Sequence, residues 1–156
     1  MEIILLWLLL IGGIGLFILS LRKPPQKDWL LIFFMTGFFA VFLGVIVVEE
    51  HLIRYPVNLF KHFQSSVLFE FLLFPVLCIY YYQATYHSGF WGIILKALVY
   101  SSVLSILEFF LEKYTDLIDY LHWEWYFTLV SVFLFMIIVR SIMGLTNYLV
   151  KNDDTR

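Results

Sequence analysis

The stretch Trp29–Val48 reads WLLIFFMTGFFAVFLGVIVV and contains no charged residue. A helix needs about 20 apolar residues to cross the roughly 30 Å of hydrocarbon in a bilayer. A helix that is apolar on every face has no side to turn toward water, so it belongs in a protein core or in a membrane. The stretch therefore predicts a transmembrane helix.

Four other stretches have the same character, although one of them is short. They are Ile3–Leu21, Val67–Tyr82, Phe90–Leu111 and Trp125–Leu145. Their apolar residues form long runs and do not alternate with polar ones, which favours helices over a membrane β-barrel. No connection between them is long enough for a separate domain. The sequence thus predicts an all-α, polytopic transmembrane bundle of about five helices, forming one domain over residues 1–156.

The composition agrees with a membrane protein. Of the 156 residues, 62% are hydrophobic and 14% charged, whereas soluble domains have roughly 45–50% apolar and about 25% charged residues. The first apolar run has no basic start and no small-residue cleavage site, so we expect a retained helix. The net charge of −2 leaves no basic face for nucleic acid. The single cysteine, Cys78, lies in an apolar run and is expected to fill buried space.

The lysines and arginines predict an orientation, because these residues accumulate on the cytoplasmic side. With the N-terminus outside, seven of them fall inside and three fall outside. The inner ones are Arg22, Lys23, Lys27, Lys96, Arg140, Lys151 and Arg156, and the outer ones are Arg54, Lys61 and Lys113. The sequence favours an outer N-terminus and a cytoplasmic C-terminus.

The connection Glu49–Ser66 is too polar to span a bilayer, yet it mixes apolar with charged residues. This pattern predicts a broken amphipathic helix on the outer interface, with Pro56 as the break, and a plain loop is the alternative.

Small residues recur at helical spacing in the second span, at Thr36, Ala40 and Gly44. Such stripes let helices approach closely, within the bundle or between two copies of the chain.

Four ionisable residues lie inside predicted spans, where charge is costly and often functional. From the helical rise, Glu70 and Glu108 both lie in the outer part of the membrane, with Glu70 about 5 Å below its boundary. Lys96 and Arg140 lie about 10 Å or less from the inner boundary, so we expect them to reach the headgroups without a partner. An ion pair between Arg140 and Glu108 is therefore not expected.

The fourth span has polar residues at spacings of three and four, which places them on one face of the helix. They are Ser101, Ser105, Glu108, Glu112, Asp116 and Asp119. Together with Glu49, Glu50 and Glu70, they predict an acidic cluster at the outer side, with Arg54 as its counter-charge. In the alternative interpretation, the acids of the loop only solvate it.

The residues Glu49 to Arg54 read EEHLIR. This EExxxR pattern is similar to the first motif of the glutamate intramembrane proteases of the prenyl-processing and bacteriocin-immunity family. That family also needs a histidine in a following span and a later His-x-x-x-Asn. Here His62, His87 and His122 fall in predicted loops, and Tyr126 stands four residues after His122. No phosphate loop, HExxH, GxSxG or zinc spacing is present, so the sequence predicts no metal and no cofactor.

Several short motifs together resemble an uncharacterised family of small, roughly five-span integral membrane proteins of spore-forming Firmicutes. They are Arg54-Tyr55-Pro56, Phe69-Glu70, Phe74-Pro75, Glu108, the Trp123–Trp125 region and Arg140. The resemblance implies a bacterial plasma membrane or spore membrane and a five-span topology. It implies no activity.

Three function classes remain open at this point. The first is an accessory or structural membrane protein that assembles with itself or with another membrane protein in the lipid bilayer; the lack of catalytic motifs favours it. The second is a small transporter or channel component that uses Glu70 and Glu108. The third is a protease-like enzyme, which needs a histidine beside Glu49 or Glu50 within the membrane.

Overall fold

A computed structural model describes residues 1–59, 62 and 65–153 of the chain, and within them the fold is a helical bundle. Its helices are α1 (Glu2–Ser20), α2 (Gln26–Glu49), α3 (Phe74–Thr85), α4 (Phe90–Tyr114) and α5 (Trp125–Asp153). A π-helical turn, Phe69–Leu73, leads directly into α3. The prediction of an all-α bundle of about five helices is confirmed.

Four of these helices, α1, α2, α4 and α5, are long and apolar enough to cross a membrane. The third predicted span is helical from residue 67 to residue 85, but it is interrupted by the π-helical turn. Pro75 explains the interruption, because proline has no backbone N–H and its ring clashes with the carbonyl four residues earlier. The N–H of Phe74 bonds to the carbonyl of Phe69, five residues back, as in a π-helix.

The segment α3 forms the centre of the bundle, and the other helices surround it. Its side chains Cys78, Ile79 and Tyr81 are fully buried, and they pack with buried residues of α2, α4 and α5. Outward faces of α1, α2, α4 and α5 expose many large apolar side chains, among them Phe38 and Leu95. Apolar outer faces of this extent suit contact with lipid chains.

The connections after α2 and α4 meet in a short antiparallel strand pair. Strand β1 (Ile53–Arg54) pairs with β2 (Asp119–Tyr120), so that Ile53 faces Tyr120 and Arg54 faces Asp119. The carbonyl of Leu52 also accepts the N–H of Leu121, at 3.0 Å. We call this side of the bundle the strand end.

The strand pair corrects one prediction. The sequence predicted a broken amphipathic helix over Glu49–Ser66, but residues 51–59 contain turns and strand β1 and no helix. Residues 60, 61, 63 and 64 lie outside the described part of the chain. Local apolar spacing could not reveal the strand, because its partner is more than 60 residues further along the chain.

Candidate functional site

Glu70 and Glu108 line one cavity near the strand end, as their similar predicted depth suggested. The cavity measures about 280 Å³. Glu70 projects from the π-helical turn and is 4% exposed, and Glu108 projects from α4 and is 5% exposed. Burial of two acids in one apolar cavity is costly, and such groups are candidates for function when they lie within a membrane.

The walls of the cavity are almost entirely apolar. Helix α2 contributes Ala40, Leu43, Gly44 and Val47, and α5 contributes Thr128, Ser131, Val132 and Phe135. The strand end closes it with Ile53, Tyr55 and Trp123, while Phe69, Phe74 and Leu104 complete the lining. The site thus combines two carboxyl groups with a predominantly hydrophobic and aromatic surface, which is typical of pockets for small ligands.

Gly44 of α2 leaves the space that the side chain of Glu70 occupies. A Cβ atom built on Gly44 would overlap the Glu70 carboxyl group. The helix backbone therefore passes directly against the acid, as the stripe of small residues in α2 permits. Further along the same stripe Thr36 is fully buried, and its hydroxyl donates to the carbonyl of Ile32 at 2.6 Å.

Neither acid has a cationic partner among the described residues. One oxygen of each, Oε2, also has no hydrogen-bond partner there. The nearest polar neighbours are hydroxyl groups, of Ser65 beside Glu70 and of Thr128 and Tyr120 beside Glu108. The protein supplies no charge that would neutralise the two acids if both were ionised.

Arg54 does not provide the counter-charge that the sequence suggested, so that prediction is wrong. Its Nη2 lies 2.6 Å from Oδ2 of Asp119, in an ion pair at the surface. The side chain of Arg54 is 65% exposed. The cause is the strand register, which sets Arg54 opposite Asp119 and points it away from the cavity.

Tyr55, the residue after Arg54, lines the cavity with the two acids, where the sequence had suggested Arg54. Burial raises the pKa of the Tyr55 hydroxyl, and the charges of Glu108 and Glu70 raise this pKa further. Burial and the charge of Glu108 likewise raise the pKa of Tyr120. Both hydroxyl groups therefore stay protonated, and Tyr55 is the one of the two that lines the cavity.

The remaining predicted members of the cluster lie outside this cavity. Glu49 and Glu50 are exposed, and Glu112 is partly exposed one helical turn beyond Glu108. Ser101 is buried and its hydroxyl donates to the carbonyl of Leu98 at 3.0 Å. Ser105 is also buried, but it lines a neighbouring cavity between α4 and α5.

The two basic residues at the opposite end also differ from expectation. Lys96 has partners, contrary to expectation: its Nζ donates to the carbonyl of Ala84 at 2.6 Å and to Oγ of Ser88 at 2.8 Å. The guanidinium carbon of Arg140 lies 4.9 Å from the centre of the Tyr82 ring. Arg140 thus makes a cation–π contact with Tyr82 within the bundle. It lies far along α5 from Thr128, which is beside Glu108.

The geometry required for a glutamate protease is not present in the described residues. All four histidines are exposed, and Nδ1 of His122 lies 3.4 Å from the carbonyl oxygen of His51. No histidine reaches Glu49 or Glu50 inside the bundle. The described part of the chain also has no group of three metal-ligating side chains.

Sequence reasoning did not connect Tyr55, Trp123 or Thr128 with the two acids, although all three line the cavity. Trp123 donates its indole N–H to Oγ1 of Thr128 at 2.8 Å, and Thr128 in turn lies beside Glu108. The two hydroxyl residues Thr128 and Ser131, both early in the fifth span, were a signal in the sequence. Comparisons of the chain with protein-family models, with curated proteins and with solved structures found no match.

Proposed function

We propose that this integral membrane protein binds a cation in the cavity of Glu70 and Glu108 and exchanges it for protons, as a small transporter or a transporter component. One observation carries the proposal: two buried acids line a single cavity, and no positive side chain in the described residues neutralises them. A carboxyl group in apolar surroundings carries a proton unless a cation faces it. Entry of a cation then drives a proton out.

The alternative is the accessory or structural role that the lack of catalytic motifs favours. The hydroxyl groups of Thr128 and Tyr120 beside Glu108 support this alternative, since they can hold a permanently protonated acid. In that case the acids never ionise, and the protein assembles with itself or with another membrane protein. The two functions differ in whether cations release protons.

Proton release is the test. The full chain is purified in a neutral detergent and titrated with sodium, potassium, magnesium and calcium chloride in weakly buffered solution containing a pH-indicator dye. We expect at least one cation to release protons from the wild type. Glu70→Gln and Glu108→Gln should remove this release, whereas Glu112→Gln on the same helix should retain it. A signal that persists in the doubly substituted protein would refute the proposal.

The orientation and the location are also proposals. The distribution of lysine and arginine supports an outer N-terminus and a cytoplasmic C-terminus, which places the cavity on the outer side. The resemblance to membrane proteins of spore-forming Firmicutes supports a bacterial plasma or spore membrane.

A further inference from the structure

We infer that the cavity takes an amphiphilic organic ammonium ion, which enters sideways from the lipid between α2 and α5. This inference rests on the proposed cation exchange and specifies its ligand. It follows from where the cavity opens, from what lines it and from its size.

The opening of the cavity lies on the lipid-facing side of the bundle. The cavity is open to the surface, and its two long walls are α2 and α5, which pack on each other far less than α2 packs on α3 or α5 on α4. Leu43 of α2 is 47% exposed, and Ser131 of α5 is exposed as well. Both lie within helices that are apolar enough to span a membrane. A ligand that partitions into the bilayer therefore meets the opening directly.

The strand end covers the cavity from above. Ile53 and Tyr55 from the first connection and Trp123 from the second line this closed side, and the pairing of β1 with β2 holds the two connections together. A small hydrated ion has no apolar surface with which to partition into lipid. The lateral opening thus favours a cation that carries hydrocarbon.

The lining matches such a ligand in charge and in surface. Glu70 and Glu108 supply negative charge, while Phe69, Phe74, Trp123 and Phe135 supply aromatic surface for the organic part. Quaternary ammonium groups are bound well by aromatic rings, because the faces of the rings are negative. Tyr55 is the other titratable group that lines the cavity, Tyr120 lies beside Glu108, and the partly exposed Glu112 lies one helical turn further along α4. The charge of Arg54 is already paired with Asp119.

The size of the cavity suits a small organic ion. The volume of about 280 Å³ lies just below the range for drug-sized ligands, roughly 300–1,000 Å³. A whole helix, about 10 Å in diameter, does not fit into this volume. A compact aryl ammonium ion fits.

The test compares a charged ligand with its neutral isostere. The full chain is placed in nanodiscs of phosphatidylcholine, which adds no net charge. Benzyltrimethylammonium is titrated in, and binding is followed by the quenching of tryptophan fluorescence, since Trp123 lines the cavity, and by proton release. Neopentylbenzene has the same shape without the charge and serves as the control ligand. Sodium and tetramethylammonium are cations without an aromatic ring.

We expect benzyltrimethylammonium to bind at least tenfold more tightly than the other three probes and to release about one proton per ion bound. Glu70→Gln and Glu108→Gln should weaken its binding at least tenfold, whereas Glu112→Gln should leave it unchanged. A second pair of variants leaves both acids in place. Leu43→Trp fills the opening and should weaken binding, whereas Val45→Trp, on an exposed part of α2 outside the cavity, should not.

The possible failures separate the two proposals. If sodium or tetramethylammonium releases protons through Glu70 and Glu108 and benzyltrimethylammonium does not, the inferred ligand is wrong and cation exchange stands. If no cation releases protons, both proposals are wrong. If neopentylbenzene binds as tightly as benzyltrimethylammonium, or if Leu43→Trp binds like Val45→Trp, the inferred site is overturned even where the glutamine variants do not fold.

Discussion

Gly44 has the most restrictive surroundings of the glycines in the chain. The carboxyl group of Glu70 occupies the space that a Cβ atom would need, whereas a Cβ on Gly15 in α1 would meet no other atom within 4 Å. Substitution by alanine therefore has different effects at these two positions. At Gly44 it moves the acid, and at Gly15 it changes only the helix backbone.

We expect Gly44→Ala to destabilise the protein by about 1 to 3 kcal/mol, because either Glu70 or α2 must shift to remove the overlap. Gly15→Ala should be neutral or stabilising, within about 1 kcal/mol. Thermal unfolding in detergent measures both, with a maleimide dye that reports exposure of the buried Cys78 thiol. Equal melting temperatures for the two variants would contradict the close packing of Glu70 on α2.

The ion pair between Arg54 and Asp119 is exposed, and this predicts a small effect on stability. Exposed pairs contribute about 0.2 to 1 kcal/mol, so Asp119→Asn and Arg54→Gln should each lower the free energy of unfolding by less than about 1 kcal/mol. The double variant should be no worse than either single one, because the two substitutions remove the same contact. If Arg54→Gln were far more destabilising than Asp119→Asn, Arg54 would be compensating the buried acids after all.

At the scale of single elements, the π-helical turn before α3 positions Glu70. A π-helical turn inserts one residue into the helix, which rotates the preceding residues relative to those that follow. Here the turn leaves Glu70 and Phe74 buried, while Phe71 is exposed. Pro75 fixes the location of this turn, so a single residue determines both the break in the helix and the direction of the acid.

The junction between α3 and α4 depends on Lys96. Its ammonium group satisfies the carbonyl of Ala84 and the hydroxyl of Ser88, near the end of α3. Because hydrogen bonds of charged groups contribute about 1.5 to 3 kcal/mol, Lys96→Met should lower stability by roughly that amount. Lys151→Met, at an exposed position late in α5, is the matched control and should have little effect. Unfolding is followed through Cys78 as above, and a Lys96→Met protein that melts like the control would show that the lysine is only a headgroup contact.

At the scale of the whole molecule, the bundle has a buried centre and a lipid-facing exterior. Helix α3 supplies the largest share of the centre, including the fully buried Cys78 and Tyr81, whereas α1 buries only Leu6, Gly13 and Ser20. The native cysteine is therefore inaccessible in the folded protein. It leaves introduced cysteines as the only reactive positions under native conditions.

This property makes the proposed topology testable without removing Cys78. Lys27, at the start of α2, is exposed and lies on the side of the bundle opposite the strand pair. With an outer N-terminus, Lys27→Cys should react with a membrane-impermeant maleimide only after the cells are opened. Glu50→Cys, at the other end of α2, should react in intact cells. The reverse pattern would place the N-terminus inside and the cavity on the cytoplasmic side.

The class of the fold and the positions of the two acids along their helices can be read from local sequence. Both follow from local properties, since hydropathy runs define the spans and a constant rise of 1.5 Å per residue places Glu70 and Glu108 along their helices. Which side chains come into contact depends on the packing of distant segments. Arg54 turns to Asp119 because of the strand register, Tyr55 takes its place at the acids, and Lys96 finds partners at the end of α3. Such contacts depend on helix rotation and strand register, which a shift of one residue reverses, so they are fixed only when distant segments pack together.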